Sequence, residues 1–127
     1  MKKISITHVS NEHNSWLRGL DFYKTEINIL KGYLTEIAKK NTGPDVMREV
    51  EHFENQFTVQ QEKIDALHHS ILSNLNHISR EAQRSSAHYI DGALLTDHTI
   101  LGQKYNTEER IANDLRHSFR RFAEQWM

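Results

Sequence analysis

The sequence predicts an all-α fold, an elongated antiparallel bundle of three long helices. Apolar residues recur at alternating spacings of three and four over most of the chain, which places them on one face of each helix. The 127 residues include only 5 Gly and 1 Pro, so few turns are expected. Apolar residues make up 37% and charged residues 26%, a balance that suits an elongated bundle with a modest core. We therefore expect residues 1–127 to form a single helical-bundle domain.

The first helix is predicted at about residues 11–41, after an N-terminal arm at 1–9. Lys39 and Lys40 favour a helix C-terminus there, because positive charge stabilises the negative end of the helix dipole. Asn41 is a suitable cap. The apolar stripe of this helix consists of Trp16, Leu20, Tyr23, Ile27, Leu30, Leu34 and Ile37.

The second helix is predicted at about residues 43–83. Thr42 resembles an N-cap and Pro44 suits the first turn. Because the connection to the first helix is so short, the two helices should be antiparallel neighbours. Its stripe consists of Val46, Val50, Phe53, Phe57, Gln60, Ile64, Leu67, Ile71, Asn74 and Ile78.

The third helix is predicted at about residues 93–127, after a loop at 84–92 that contains Ser, Asp and Gly. Thr107 resembles the N-cap of a further helix, so the alternative is a four-helix bundle with a break near 106–107. The spacing of the stripe crosses Thr107 without a change of phase, and this favours three helices. The stripe consists of Leu94, His98, Leu101, Tyr105, Glu108, Ala112, Leu115, Phe119, Phe122 and Trp126.

Composition argues against several classes of protein. The net charge of about -1 provides no field that attracts nucleic acid or an anionic membrane. No stretch approaches the roughly 18 apolar residues of a membrane-spanning helix. The absence of Cys fits a reducing compartment, and no phosphate-binding loop, zinc-protease helix or nucleophile elbow is present. We expect a cytoplasmic protein that binds neither nucleic acid nor membrane, and the missing motifs favour a non-enzymatic role without deciding it.

A metal site is the main chemical alternative, because the chain has 9 His, about three times the ordinary usage. Residues at equal distances from a predicted bend lie at the same level of the bundle. Matching residues in this way places Glu108 near His68 and His13. Two imidazoles and a carboxylate are a ligand set for zinc or non-haem iron. The second choices as ligands are His69, His77 and His98.

Polar residues on the stripes also have a purely structural interpretation. Gln60, Asn74, His98 and Glu108 can fix the register of the bundle. The same matching of levels places Gln60 beside Tyr23 and His98 beside His77, and Glu108 can pair with His68 without any metal.

Three segments carry a resemblance to known proteins. The sequences EHFENQF at 51–57, IDALH at 64–68 and FAEQWM at 122–127 resemble a family of short, uncharacterised bacterial helical-bundle proteins. The resemblance implies a full-length helical domain and brings no activity, cofactor or site with it.

The sequence therefore favours a non-enzymatic interaction or structural module, and the alternative is a metal-binding helical bundle. Long helices with polar outer faces readily bind other helices. Four apolar residues lie off the main stripes and either widen the core or form the seam of a homodimer; they are Leu17, Phe22, Ile100 and Ile111. A helical protein partner is the other occupant that this pattern suits.

Overall fold

The computed structural model describes residues 5–84 and 92–126 as a bundle of three helices. These are α1 (Ile6–Lys40), α2 (Pro44–Arg84) and α3 (Gly92–Trp126), and each packs against the other two. Helices account for every described residue except Ser5 and residues 41–43. The predicted all-α bundle of three long helices is confirmed. Residues 85–91, where the second loop was predicted, lie outside the described residues.

Contacts between side chains define the direction of each helix. Lys24 Nζ on α1 bonds Asp65 Oδ1 on α2 at 2.8 Å, while Asn41 Nδ2 at the end of α1 donates to the carbonyl of Trp126 at the end of α3. The helices α1 and α3 therefore run parallel to each other, and α2 runs antiparallel to both.

The third helix is continuous through Asn106 and Thr107, so the predicted alternative of a break there is wrong. The hydroxyl of Thr107 donates to the carbonyl of Gln103 at 3.1 Å, a bond within the helix. Thr107 therefore uses its side chain inside a continuous helix instead of capping a new one.

The first helix begins earlier than the sequence predicted, because residues 6–9 of the predicted arm at 1–9 are helical. Ser5 caps α1, since its hydroxyl accepts a hydrogen bond from the backbone N–H of His8 at 3.0 Å. Val9 is fully buried and continues the apolar spacing of the helix toward its N-terminus. Residues 1–4 lie outside the described residues.

The core is divided into two apolar clusters by a polar layer. The larger cluster includes four packed phenylalanine rings with centroids 5.0 to 6.2 Å apart: Phe53, Phe57, Phe119 and Phe122. The smaller cluster, at the N-terminal end of α1, contains Val9, Ile78 and Leu94, against which Ile6 and Leu95 pack. The layer between the clusters, called the polar layer below, consists of His13, Asn74 and His98.

Two glycines allow α1 and α3 to approach closely. Trp16 on α1 covers Gly102 on α3, where an added Cβ would lie 3.1 Å from the Trp16 ring. Tyr105 on α3 covers Gly19 on α1, where an added Cβ would overlap the Tyr105 hydroxyl. The two aromatic rings are 6.2 Å apart and nearly parallel. Each helix thus provides one aromatic residue and one glycine to the contact, and an aromatic ring fills the space that a side chain would need.

Candidate functional site: a groove between the first and third helices

Glu108, one of the three predicted metal ligands, pairs with a different residue from the one expected. It is half-buried, and its Oε2 accepts a hydrogen bond from Nε2 of the buried Gln60 at 2.7 Å. Gln60 precedes His68 by eight residues on α2, which corresponds to about 12 Å along the helix axis. The structure therefore places Glu108 with Gln60, and not with His68 as the sequence predicted.

The other two predicted ligands, His13 and His68, also have partners of their own. His68 Nε2 lies 3.5 Å from Asp21 Oδ1. His13 is fully buried, with Nδ1 at 2.8 Å from the carbonyl of Val9 and Nε2 at 2.8 Å from Asn74 Oδ1. The structure does not gather the three predicted ligands. In residues 5–84 and 92–126, no group of three His, Asp or Glu side chains is arranged to hold a metal ion.

Of the second-choice ligands, only His98 is buried. Its ring stacks on that of His13 with centroids 4.9 Å apart, and its Nε2 lies 3.1 Å from Glu12 Oε1. His69 and His77 are exposed and line a shallow cavity between α2 and α3. The hydrogen bond and ring contacts of His98 are with α1, and its placement beside His77 stays a prediction.

The environment of His98 favours its neutral form. Burial lowers the pKa of His98, and the positive charge that His13 and His8 can carry lowers this pKa further. The hydrogen bond to Glu12 acts in the opposite direction. Trp16 also stacks on the His98 ring, with centroids 4.9 Å apart, and His98 Nδ1 is buried with no hydrogen-bond partner among the described residues. The rings of His13 and His98 are therefore packed within the core.

Two tyrosines between α1 and α3 are held in their protonated form. Burial raises the pKa of Tyr105 to about 12, and a hydrogen bond to Glu109 adds to the effect. Burial also raises the pKa of Tyr23, while a hydrogen bond to Asn113 partly offsets it. Neither phenol is activated as a base or nucleophile, so we assign both to helix packing.

An open groove of about 780 Å³ lies between α1 and α3. Leu30 and Phe119, both buried, form its floor together with Ala123. The wall on the α1 side carries Phe22, Ile29 and Tyr33, whose exposed fractions are 57%, 53% and 48%. The groove is thus apolar on its floor and on one wall.

Charged residues line the other wall of the groove. Arg116 Nη1 donates to Glu26 Oε1 at 3.0 Å, and both side chains of this ion pair are mostly buried. Arg120 and Glu124 follow Arg116 along α3 and also line the groove. The wall carries charges of both signs, so it has no strong preference for an anionic or a cationic ligand.

The exposed residues Phe22, Ile29 and Tyr33 form a continuous stripe because Ile29 and Tyr33 follow Phe22 by seven and eleven residues. The other large exposed apolar residues of the described chain are Val59, Leu72 and Ile100, which lie on other helices. The off-stripe apolar residues predicted from the sequence include Phe22 but not Ile29 or Tyr33. Their shared helical phase with Phe22 is the signal that identifies them.

The remaining off-stripe residues differ in their placement. Leu17 packs against the larger apolar cluster, so it widens the core. Ile111 is half-buried, and Ile100 is exposed outside the groove. Of the four residues that the sequence offered for a homodimer seam, only Phe22 lies in the groove.

Comparisons with protein-family profiles, with curated proteins and with solved structures find no match to this chain. The resemblance to bacterial helical-bundle proteins therefore stays a prediction. Among the described residues, no helix is both long enough and apolar enough to span a membrane.

Proposed function

We propose that this chain is a non-enzymatic, cytoplasmic interaction module that binds one amphipathic helix in the groove between α1 and α3. The observation that carries the proposal is the stripe of Phe22, Ile29 and Tyr33, about half exposed, beside an apolar groove floor. Contiguous apolar surface with a polar rim is typical of protein-binding sites. Isolated exposed apolar residues elsewhere on a surface need no such explanation.

A helix suits this groove better than other occupants. The stripe runs along α1, so a partner that covers it must lie lengthwise beside α1. Helix-in-groove binding uses anchors at such helical spacings, whereas an extended peptide pairs with the edge of a sheet. The mixed charges of Glu26, Arg116, Arg120 and Glu124 suit the polar flanks of an amphipathic helix, and they do not favour a nucleic acid or an anionic membrane.

The polar groups near the groove support binding over chemistry. Glu26 and Arg116 bond each other. The nearby phenols of Tyr23 and Tyr105 have raised pKa values because they are buried. The groove therefore serves recognition.

A labelled synthetic amphipathic helix with Leu at its heptad core positions and Lys and Glu elsewhere tests this proposal by fluorescence anisotropy. We expect it to bind the full chain, and we expect Ile29→Glu to weaken binding at least about tenfold, because a charge would be buried in an apolar contact. Leu72→Glu is the matched control, since Leu72 is 41% exposed on α2 outside the groove. Absence of binding, or equal loss in both variants, would contradict the proposal.

A further inference from the structure

We infer that the helix received by this groove is α1 of a second copy of the chain, packed antiparallel to the first α1 about a two-fold axis. This inference rests on the proposed function and names its partner. Besides the core stripe, α1 carries a second heptad-spaced stripe on its exposed side, called the outer stripe below. The outer stripe consists of Arg18, Phe22, Thr25, Ile29, Gly32 and Glu36, which are all exposed.

The outer stripes of two copies are complementary when the two α1 helices pack antiparallel. In an antiparallel pair of helices, the layers of a heptad seam join one residue near the start of the stripe to one near its end. Arg18 then faces Glu36 of the second copy, a pair of opposite charges. A two-fold axis repeats every layer, so each contact occurs twice in the dimer.

The inner layers of this pairing match in size. Phe22 faces Gly32 of the second copy, which places the largest side chain of the stripe against the smallest. Thr25 faces Ile29 of the second copy, and both are β-branched. No layer of the pairing opposes two like charges or two bulky rings.

Gly32 is otherwise unfavourable where it lies. It occupies the interior of a long helix, where glycine is less favourable than alanine because it loses more backbone freedom on folding. An added Cβ there would meet nothing within 4 Å in residues 5–84 and 92–126, so no contact among them explains the glycine. Inside the bundle, Gly19 and Gly102 each lie under an aromatic ring of the facing helix. A second copy would place Phe22 over Gly32 in the same way.

The charges on the outer stripe favour the antiparallel direction. In a parallel pair, Arg18 would face Arg18 and Glu36 would face Glu36, which repel. Glu36 is available for the antiparallel contact, because its ion pair with Lys39 is long, at 3.9 Å, and exposed. Phe22, Thr25 and Ile29 also line the groove, so a second α1 on this stripe would cover the groove as well.

Sedimentation equilibrium of the full chain, with charge-reversal variants, tests both the partner and the register. We expect a dimer whose association constant falls about fivefold to tenfold in R18E and in E36R, since each change creates two like-charge contacts. The double variant R18E/E36R should regain most of the loss. An equimolar mixture of R18E and E36R should form a heterodimer more tightly than either variant forms a homodimer, because both of its charged layers are complementary.

Gly32→Leu adds a test that does not depend on charge. It should abolish the dimer by filling the space for Phe22 of the second copy, while circular dichroism shows an intact helix. Val59→Glu, 41% exposed on α2, should leave the dimer unchanged. A chain that stays monomeric to about 1 mM, or a dimer indifferent to R18E and Gly32→Leu, overturns the inference. If the synthetic helix still binds through Ile29 in that case, the proposed function stands with a different partner.

Discussion

At the scale of single residues, the buried polar side chains of the bundle are satisfied in specific pairs. Gln60 bonds Glu108, and His13 bonds both Asn74 and a backbone carbonyl. Removal of one member of such a pair typically costs about 1–3 kcal/mol, because the other is left buried without a partner. His98 differs, since its Nδ1 has no hydrogen-bond partner among the described residues. The protonation of His98 should therefore affect stability directly.

We predict that the bundle loses stability as the pH falls below about 6.5, and that His98 contributes to this loss. Burial lowers the pKa of His98 from its ordinary 6.5, so at mildly acidic pH the unfolded chain holds more protons than the folded one. The free energy of unfolding is then highest above pH 6.5 and decreases as the pH falls toward the folded-state pKa of His98. Urea denaturation at about pH 7.5 and about pH 5.5 measures the difference.

The variant His98→Leu should reduce this difference between the two pH values. At neutral pH it should be tolerated, because replacing a partly satisfied buried polar group by an apolar one is often neutral or stabilising. His117→Leu, an exposed histidine on α3, is the control and should leave the pH dependence unchanged. An unaltered dependence in His98→Leu would show that other groups account for it.

The sequence predicted which polar residues turn inward, but not their partners. Gln60, His98 and Glu108 are buried or half-buried, as their positions on the stripes indicate. The partner of each residue depends on the axial position of one helix relative to the next. The stripe of a helix determines only which way its side chains face. Glu108 consequently pairs with Gln60, and the predicted group of His13, His68 and Glu108 is not formed.

At the scale of the elements, the displacement of levels between α1 and α2 has a physical cause. Lys24 pairs with Asp65, whereas matching about the bend near residues 41–42 would place it opposite residue 59 or so. Side chains lean toward the N-terminus of their own helix. In α1 this lean points away from the bend, and in α2 it points toward the bend. A side chain of α1 therefore meets the side chain of an α2 residue that lies further from the bend, as Lys24 meets Asp65. The level of α3 depends in addition on residues 85–91, whose sequence specifies no particular turn.

The glycines of the helices should respond oppositely to alanine substitution. Gly32→Ala should stabilise the monomer by about 0.5–1 kcal/mol, since its Cβ enters open space and alanine favours the helix. Gly19→Ala should instead destabilise by about 1–3 kcal/mol, because the new Cβ displaces the Tyr105 ring. Urea denaturation at a concentration that keeps each variant monomeric compares them. If Gly19→Ala also stabilises the chain, α1 and α3 are free to move apart and the close contact has no energetic role.

At the scale of the whole molecule, the features that could be predicted are those that a single helix determines. The heptad phase gave three continuous helices, because each stripe is read from one segment alone. The groove is formed by α1 and α3, which are distant in sequence, and its apolar wall lies on the face of α1 that the core stripe leaves exposed. The start of α1 at Ile6 was predictable in principle, since Ser5 and Val9 carry a cap and a stripe position.

The two ends of the bundle should differ in local stability. The larger apolar cluster contains four phenylalanine rings, while the smaller one contains Val9, Ile78 and Leu94 with two half-buried neighbours. The polar layer separates them, so the smaller cluster gains little from the packing of the larger one. Regions with fewer buried apolar contacts open at a lower free energy than the global unfolding.

Hydrogen exchange followed by mass spectrometry should therefore show faster exchange at residues 9–13, 74–84 and 92–98 than at 50–64 and 112–122. A change from about pH 7.5 to about pH 5.5, corrected for the intrinsic rate, should reduce protection most at the faster end, because a proton on His98 would be buried beside the stacked ring of His13. In His98→Leu, the extra acid-induced opening should be reduced at this end alone. Equal protection at both ends, or an acid effect centred on the phenylalanine rings, would mean that the bundle opens as one unit and that the polar layer does not divide it.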